Sequence, residues 1–340
     1  LHPIPGKYRN IRKLTALMEQ ERTTGHEIED NDRKRSDGNE RLARSICAHG
    51  EYHEMLSELK TSGTLFESQK DRICLKYGKR LEKATFLSKS DWDMLVILEL
   101  YDTVTFEHAL RVFETIHEKI WSRRDIGIFL RRHLSEENVT KEDLLRAAIL
   151  HDIGKTVIPK EVLLDTTTEE EWMMLEKSLL QPHQYKDVLR TLDENPRLRH
   201  KDLVPFSYAI PEDLAESLRD RGIDPKLPLG VIIGKHATVS GNILRSYGFP
   251  VAAEIAESHH DLPLRTLSRP VSVSSLRAGW ILRAADIFDA VRSPRSYKDG
   301  NPLEKALFII EKEAGRGFID QKLADLWISD ELSYHLERSE

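Results

Sequence analysis

Leu144-Leu145-Arg146-Ala147-Ala148-Ile149-Leu150-His151-Asp152-Ile153-Gly154-Lys155 is the stretch on which the fold and chemistry of this chain turn. Thr140 with Asp143 three residues later is a capping-box pattern, so a helix opens just before the run. Every residue from Leu144 to Leu150 except Arg146 is apolar, which predicts a helix buried on most sides. Gly154 supplies its stop. A helix that ends inside a core leaves His151 and Asp152 where a charge is costly unless something pairs with it. Imidazole nitrogen and carboxylate oxygen together suit Mn, Fe, Ni or Zn. From the dipeptide alone, a His and an Asp capping each other stays open as the structural alternative.

Outward from this helix, the chain reads as mostly helical. Its 340 residues include only 17 Gly and 14 Pro, while Leu, Glu, Lys, Arg and Ala are abundant. The length suits two domains or one large one at about 150 residues per domain. Lys and Arg number 51 against 57 Asp and Glu, a net charge of −6, which argues against a duplex nucleic-acid binder. Cys47 and Cys74 form neither a disulfide framework nor a C-x-x-C pair, so a reducing, cytoplasmic setting is expected. No apolar run reaches the roughly 18 residues of a membrane helix. The chain opens at Leu1 rather than Met, as a piece of a longer protein would.

Residues 1–95 read as a helical accessory region with a charged loop near 21–41. A second capping pattern, Ser90 with Asp93, opens the helices that follow, and residues 96–330 read as the main domain. Within it, 166–228 is polar and proline-rich and looks like an insertion of short helices and loops. Periodic helices are expected at 229–246, 250–260, 274–292 and 302–314. No strand pattern and no internal repeat is visible.

Four further segments gather ligand-type residues. His108 lies in Phe106-Glu107-His108-Ala109-Leu110, His236 follows Gly234-Lys235, His259-His260 closes another helix, and Asp286 and Asp289 sit inside a fourth. A lone core His is more often hydrogen-bonded than ligating. Two adjacent imidazoles crowd each other unless a cation lies between them. Five helical segments each presenting one or two such residues is how helical bundles build dinuclear sites.

In this order, Glu107-His108, His151-Asp152-Ile153-Gly154-Lys155, His236 with Gly241, His259-His260 and Asp286-Ile287-Phe288-Asp289 resemble the HD superfamily of metal-dependent phosphohydrolases. The HD-GYP branch, whose best-known members hydrolyse cyclic di-GMP, looks most similar. Arg292-Ser293-Pro294-Arg295-Ser296-Tyr297-Lys298 resembles the Arg-Pro-Tyr-Arg segment of that branch, and Gly317-Phe318-Ile319-Asp320 its closing motif. The resemblance covers about residues 100–328 without the insertion, and it implies an all-α helical bundle.

Three departures stand out. Asp261-Leu262-Pro263-Leu264-Arg265 replaces the branch's glycine-rich loop, leaving a degenerate motif beside the substrate. Val104 stands where trinuclear members carry a Glu, which favours two metals over three. The interval from His151 to His236 is long, and His183 is a rival for the middle ligand, although Ser240-Gly241 and the short run to His259 favour His236.

The resemblance implies metal ligands His108, His151, Asp152, His236, His259, His260 and Asp286. His108, His151 and Asp286 would hold one metal and His236, His259 and His260 the other, with Asp152 bridging. Two divalent transition metals are expected, Fe or Mn first, with Ni and Zn compatible. Carboxylate-bridged metals lie roughly 3.5–4 Å apart and draw a shared water down toward neutrality, giving a hydroxide nucleophile. Asp152 and Lys155 would be catalytic, and Lys155, Arg295 and Lys298 would bind substrate phosphate. Asp289, on the same helix face as Asp286, would orient a ligand His or bond a neighbouring backbone group.

The expected function is a phosphodiesterase acting on a cyclic dinucleotide in second-messenger signalling. The alternatives are an HD-type nucleotide phosphomonoesterase, a di-iron oxygenase on the same ligands, and a catalytically weak signalling module that binds a nucleotide or protein. A nucleotide substrate, a signalling-protein partner or a homodimer, and no membrane segment complete the expectations.

Overall fold

The computed structural model describes residues 52–122, 124–163, 173–174, 177–194, 203–260, 272–293 and 301–337. All of them belong to one compact unit, Leu42–Glu340. The expectations for the 21–41 loop, for Asp261–Arg265 and for Arg295 and Lys298 fall outside the described residues.

Among the described residues the fold is all-α, with no strand beyond an isolated antiparallel bridge between Pro205 and Pro228. The helices are α1 (Tyr52–Thr61), α2 (Leu65–Leu81), α3 (Lys89–Tyr101), α4 (Thr103–Trp121), α5 (Asp125–Glu136), α6 (Lys141–Leu150), α7 (Lys160–Leu163) and α8 (Pro182–Glu194). They continue with α9 (Glu212–Asp220), α10 (Leu229–Gly234), α11 (His236–Ser246), α12 (Pro250–Ser258), α13 (Val273–Arg292), α14 (Leu303–Ala314) and α15 (Gln321–Glu337). None of these helices is long and apolar enough to cross a membrane.

One apolar core takes in side chains from Tyr52 to Trp327, so α1 and α2 share it with the later helices. α3 runs through the middle, buried at Asp91 and from Asp93 to Tyr101. Its acidic residues are each answered from another helix. Arg146 of α6 pairs with Asp91 at 2.8 Å, Lys60 of α1 with Asp93, and Arg72 of α2 with Glu99. Such pairing is what makes a buried carboxylate tolerable.

The capping box of α3 differs from the sequence expectation. Ser88, not Ser90, is the N-cap: its Oγ accepts from the Asp91 N–H, and Asp91 Oδ2 accepts from the Ser88 N–H at 2.7 Å. Ser90 and Asp93 lie inside the helix, where Asp93 serves the Lys60 pair instead. The cap of α6 follows the pattern, with Thr140 Oγ1 accepting from the Asp143 N–H at 3.0 Å.

The stretch expected as one helix over 229–246 divides at Lys235 into α10 and α11. α11 then packs against α12 and against the 3-10 turn Ile153–Val157 that follows α6. The described part of the expected insertion carries α8, the turn Phe206–Tyr208 and α9. Val204, Phe206, Leu218 and Ile223 close a second apolar cluster over Ile158, Val162, Leu229 and Ile232. α8 buries no residue, and His183 on it is exposed.

Candidate metal centre

Three helix ends and two helix faces meet at one place. α4 begins with Asp102 as N-cap, whose carboxylate accepts from the Val104 and Thr105 N–H groups at 3.2 Å each, and it buries the face carrying His108. α6 ends at His151, α11 begins at His236, and α12 ends at His259. α13 contributes Asp286 and Asp289 one turn apart.

Gly154 allows α11 to come this close. A Cβ on it would lie 2.1 Å from the His236 carbonyl oxygen and 2.6 Å from the Ser240 nitrogen. Its φ is not in the left-handed region, so it does not act as the helix stop expected from sequence. It is instead a point of backbone contact, held by its N–H donating to Ser240 Oγ at 2.8 Å.

The seven expected ligands are brought together. His108, His151 and Asp152 present ligand atoms within 4.8 Å of one another, and so do His236, His259 and His260. Asp286 Oδ1 adjoins the first group, 2.9 Å from His108 Nε2 and 3.9 Å from His151 Nε2. Asp152 stands between the groups. Its Oδ2 lies 3.4 Å from His151 Nε2 and 3.8 Å from His108 Nε2, and its Oδ1 lies 3.0 Å from His236 Nε2. Lys155 Nζ sits 2.6 Å from Asp152 Oδ2.

Four of the five imidazoles are aimed from behind. The Nδ1 atoms of His151, His236 and His259 bond the carbonyls of Ala148, Ile233 and Ala256, each three residues back. His108 Nδ1 instead meets Asp289 Oδ2 at 2.6 Å, and Arg111 grips that carboxylate through Nε at 2.7 Å and Nη2 at 3.1 Å. With Nδ1 engaged, the Nε2 atoms are turned inward. The Nε2 atoms of His151, His236 and His259 and Oδ1 of Asp152 are buried without a hydrogen-bond partner among the described residues. The 3.0 Å approach of His236 to Asp152 is not aligned as a hydrogen bond.

Four orphaned, convergent polar atoms in one core are costly unless a further group meets them. A divalent cation fits that set, since it takes neutral imidazole nitrogen and carboxylate oxygen together. The electrostatics agree with this donor chemistry. Burial pushes the His151 and His259 pKa values down, which keeps their rings neutral. Burial opposes ionisation of Asp152, but Lys155, His151 and His236 outweigh it and hold the carboxyl well below its usual range. Burial also opposes ionisation of Asp286, and His108 outweighs it.

Arg111 and Arg283 were not singled out by sequence reasoning. Arg283 Nη1 donates to the His259 carbonyl at 2.9 Å, and neither arginine stands in a local motif that signals its partner.

The HD domain family model matches residues 105–195, which include His108, His151, Asp152 and Lys155. A cyclic di-GMP phosphodiesterase of Thermotoga maritima is 35% identical over 94 residues, 25% of this chain and 24% of that protein. The match thus spans about a quarter of each. No solved structure matches the chain. His236, His259, His260 and Asp286 lie beyond the family match, and the fold returns them to the residues within it. Residues 105–195 are thus similar to the HD domain family.

Proposed function

We propose that this chain is a metal-dependent phosphohydrolase of the HD type that cleaves a phosphodiester, with a cyclic dinucleotide such as cyclic di-GMP as substrate. One observation carries the reading: Asp152, grouped with His108 and His151, turns Oδ2 toward that group and Oδ1 toward His236 of the other. His108, His151 and Asp286 would hold one divalent cation and His236, His259 and His260 the other, with Asp152 shared. Fe or Mn suits this mixed nitrogen and oxygen set, and Ni and Zn are compatible. Two such cations, when bound, supply Lewis-acid stabilisation of a phosphoryl group and an activated water for in-line attack.

The chain's own residues supply the rest. The backbone carbonyls behind His151, His236 and His259 fix the ring tautomers, leaving Nε2 free to ligate. Asp289 does the same for His108. Lys155 is about one-fifth exposed beside Asp152, so its ammonium can meet a phosphate oxygen entering from solvent. The relative from Thermotoga maritima supports a cyclic dinucleotide substrate. The Asp261–Arg265 replacement of the glycine-rich loop favours slow turnover of that substrate or a nucleotide phosphomonoester in its place.

The test is metal analysis of the full chain, followed by assays against cyclic dinucleotides and nucleotide monophosphates with each metal restored. Metal-dependent release of a linear dinucleotide is expected. A chain loaded with two metals that hydrolyses no phosphoester would overturn the reading. Lys155→Ala should keep both metals while losing about one to two decades of rate, because a charge-assisted contact is worth roughly 1.5–3 kcal/mol and a decade is 1.36 kcal/mol.

A further inference from the structure

We propose that Arg283 is a positioning residue that sets the direction of the His259–His260 pair, and that the turn after α14 reaches the metal centre through it. The proposal rests on the two-cation reading above.

The last carbonyls of α12 have no intrahelical donors, as at any helix end. Here side chains answer them: Ser258 Oγ bonds the Ile255 carbonyl at 3.0 Å and His259 Nδ1 the Ala256 carbonyl. The carbonyl of His259 belongs to the peptide that joins the two ligand histidines. Arg283 Nη1 donates to it at 2.9 Å from α13, one turn before Asp286. A planar peptide held at its oxygen has little freedom to rotate. The ψ of His259 (−21°) and the φ of His260 are fixed with it, and those angles aim both rings. The two rings pack with centroids 3.9 Å apart, so a small rotation of that peptide would move both.

Arg283 is itself aimed. Glu313 Oε2 accepts from its Nη2 at 2.8 Å, and its guanidinium lies 5.0 Å from the centre of the Phe318 ring. Glu313 and Phe318 belong to one turn at the end of α14. The Phe318 N–H donates to the Glu313 carbonyl at 3.0 Å, and Gly317 adopts φ +77° to make this return. Arg316 Nη1, at 3.2 Å, holds the other oxygen of Glu313. The side chains of Arg283 and Glu313 are 16% and 13% exposed, so water competes weakly for either. A planar guanidinium that stacks, pairs and donates at once has no equivalent in Lys.

The experiment is cobalt(II) titration of the full chain, followed by ligand-field absorption, with His236→Ala identifying which spectral step belongs to the His236, His259 and His260 group. The wild type is expected to show two steps. Arg283→Met should weaken the His236-group step about 10- to 100-fold, the usual cost of losing a residue that orients a ligand, and leave the other step unchanged. Two undiminished steps would overturn the proposal and leave the two-cation reading standing, as would an equal loss in both steps. A wild type that binds no cobalt would overturn the reading underneath. If Arg283→Met does not fold, Glu313→Gln decides. It keeps the arginine but loosens its aim, and it should weaken the same step; wild-type titration of that variant would overturn the proposal.

Discussion

His108 Nδ1 meets Asp289 Oδ2 at 2.6 Å across 181 residues of sequence, while His108 Nε2 faces Asp286 Oδ1 on the next turn of the same helix. One imidazole therefore divides its two nitrogens between an orienting carboxylate and the interior of the site. Asp289→Asn should leave the fold intact and weaken metal binding about 10- to 100-fold, as expected for a residue behind a ligand. Equilibrium dialysis with a competing chelator measures this. Unchanged affinity would mean that Asp289 serves Arg111 and the structure alone.

Asp152→Ala removes the one side chain placed between both ligand groups. Elemental analysis should find both metals largely absent, because each group loses an oxygen donor at once. Retention of two metals per chain would contradict the shared role of Asp152.

Gly154→Ala tests the close approach of the turn to α11. A methyl group 2.1 Å from the His236 carbonyl cannot be accommodated without moving one backbone. The cost should be about 3 kcal/mol, the upper end for overpacking, seen as a lower denaturation midpoint. Metal content should fall with it, since His236 moves as the backbone shifts.

The metal-free protein should be most stable near pH 6.5. His108 is lowered by burial but raised more by Asp286 and Asp289, to about 9. A folded state that holds its proton this tightly has the full benefit below 6.5 and loses it as pH rises through about 9. His151 and His259 are pushed down by burial, so the unfolded chain takes protons that the folded state refuses as pH falls below 6.5. Thermal melts of chelator-treated protein across pH should trace both limbs. A melting temperature that climbs steadily on the alkaline side would refute the His108 assignment.

Local signals in the sequence were legible where they did not depend on distant partners. Thr140, the apolar run and the His151-Asp152 ending identify α6, because a cap and a buried face are properties of one segment. Ser88-x-x-Asp91 and Ser90-x-x-Asp93 are equivalent patterns two residues apart. What separates them is that Arg146 reaches Asp91 from α6 and Lys60 reaches Asp93 from α1. Gly154 reads as a stop until α11 is known to lie against it. Arg111 and Arg283 are ordinary surface-type residues in the sequence, and only the packing of α4, α12, α13 and α14 gives them carboxylates and a carbonyl to hold.

The three acidic residues of α3 also bear on how the helices find their places. Apolar faces alone tolerate sliding, since one leucine ridge fits a groove about as well as the next. Moving α1, α2 or α6 by a single helical turn, about 5.4 Å, would leave Asp93, Glu99 or Asp91 without its cation in surroundings that contain little water. Replacing all three by their amides should broaden the unfolding transition and admit a dye that reports loose packing, even where the midpoint barely moves; a transition as sharp as the wild type would show that apolar shape suffices. Arg146, Lys60 and Arg72 then act as a key for α3, rejecting assemblies that are equally greasy but out of step.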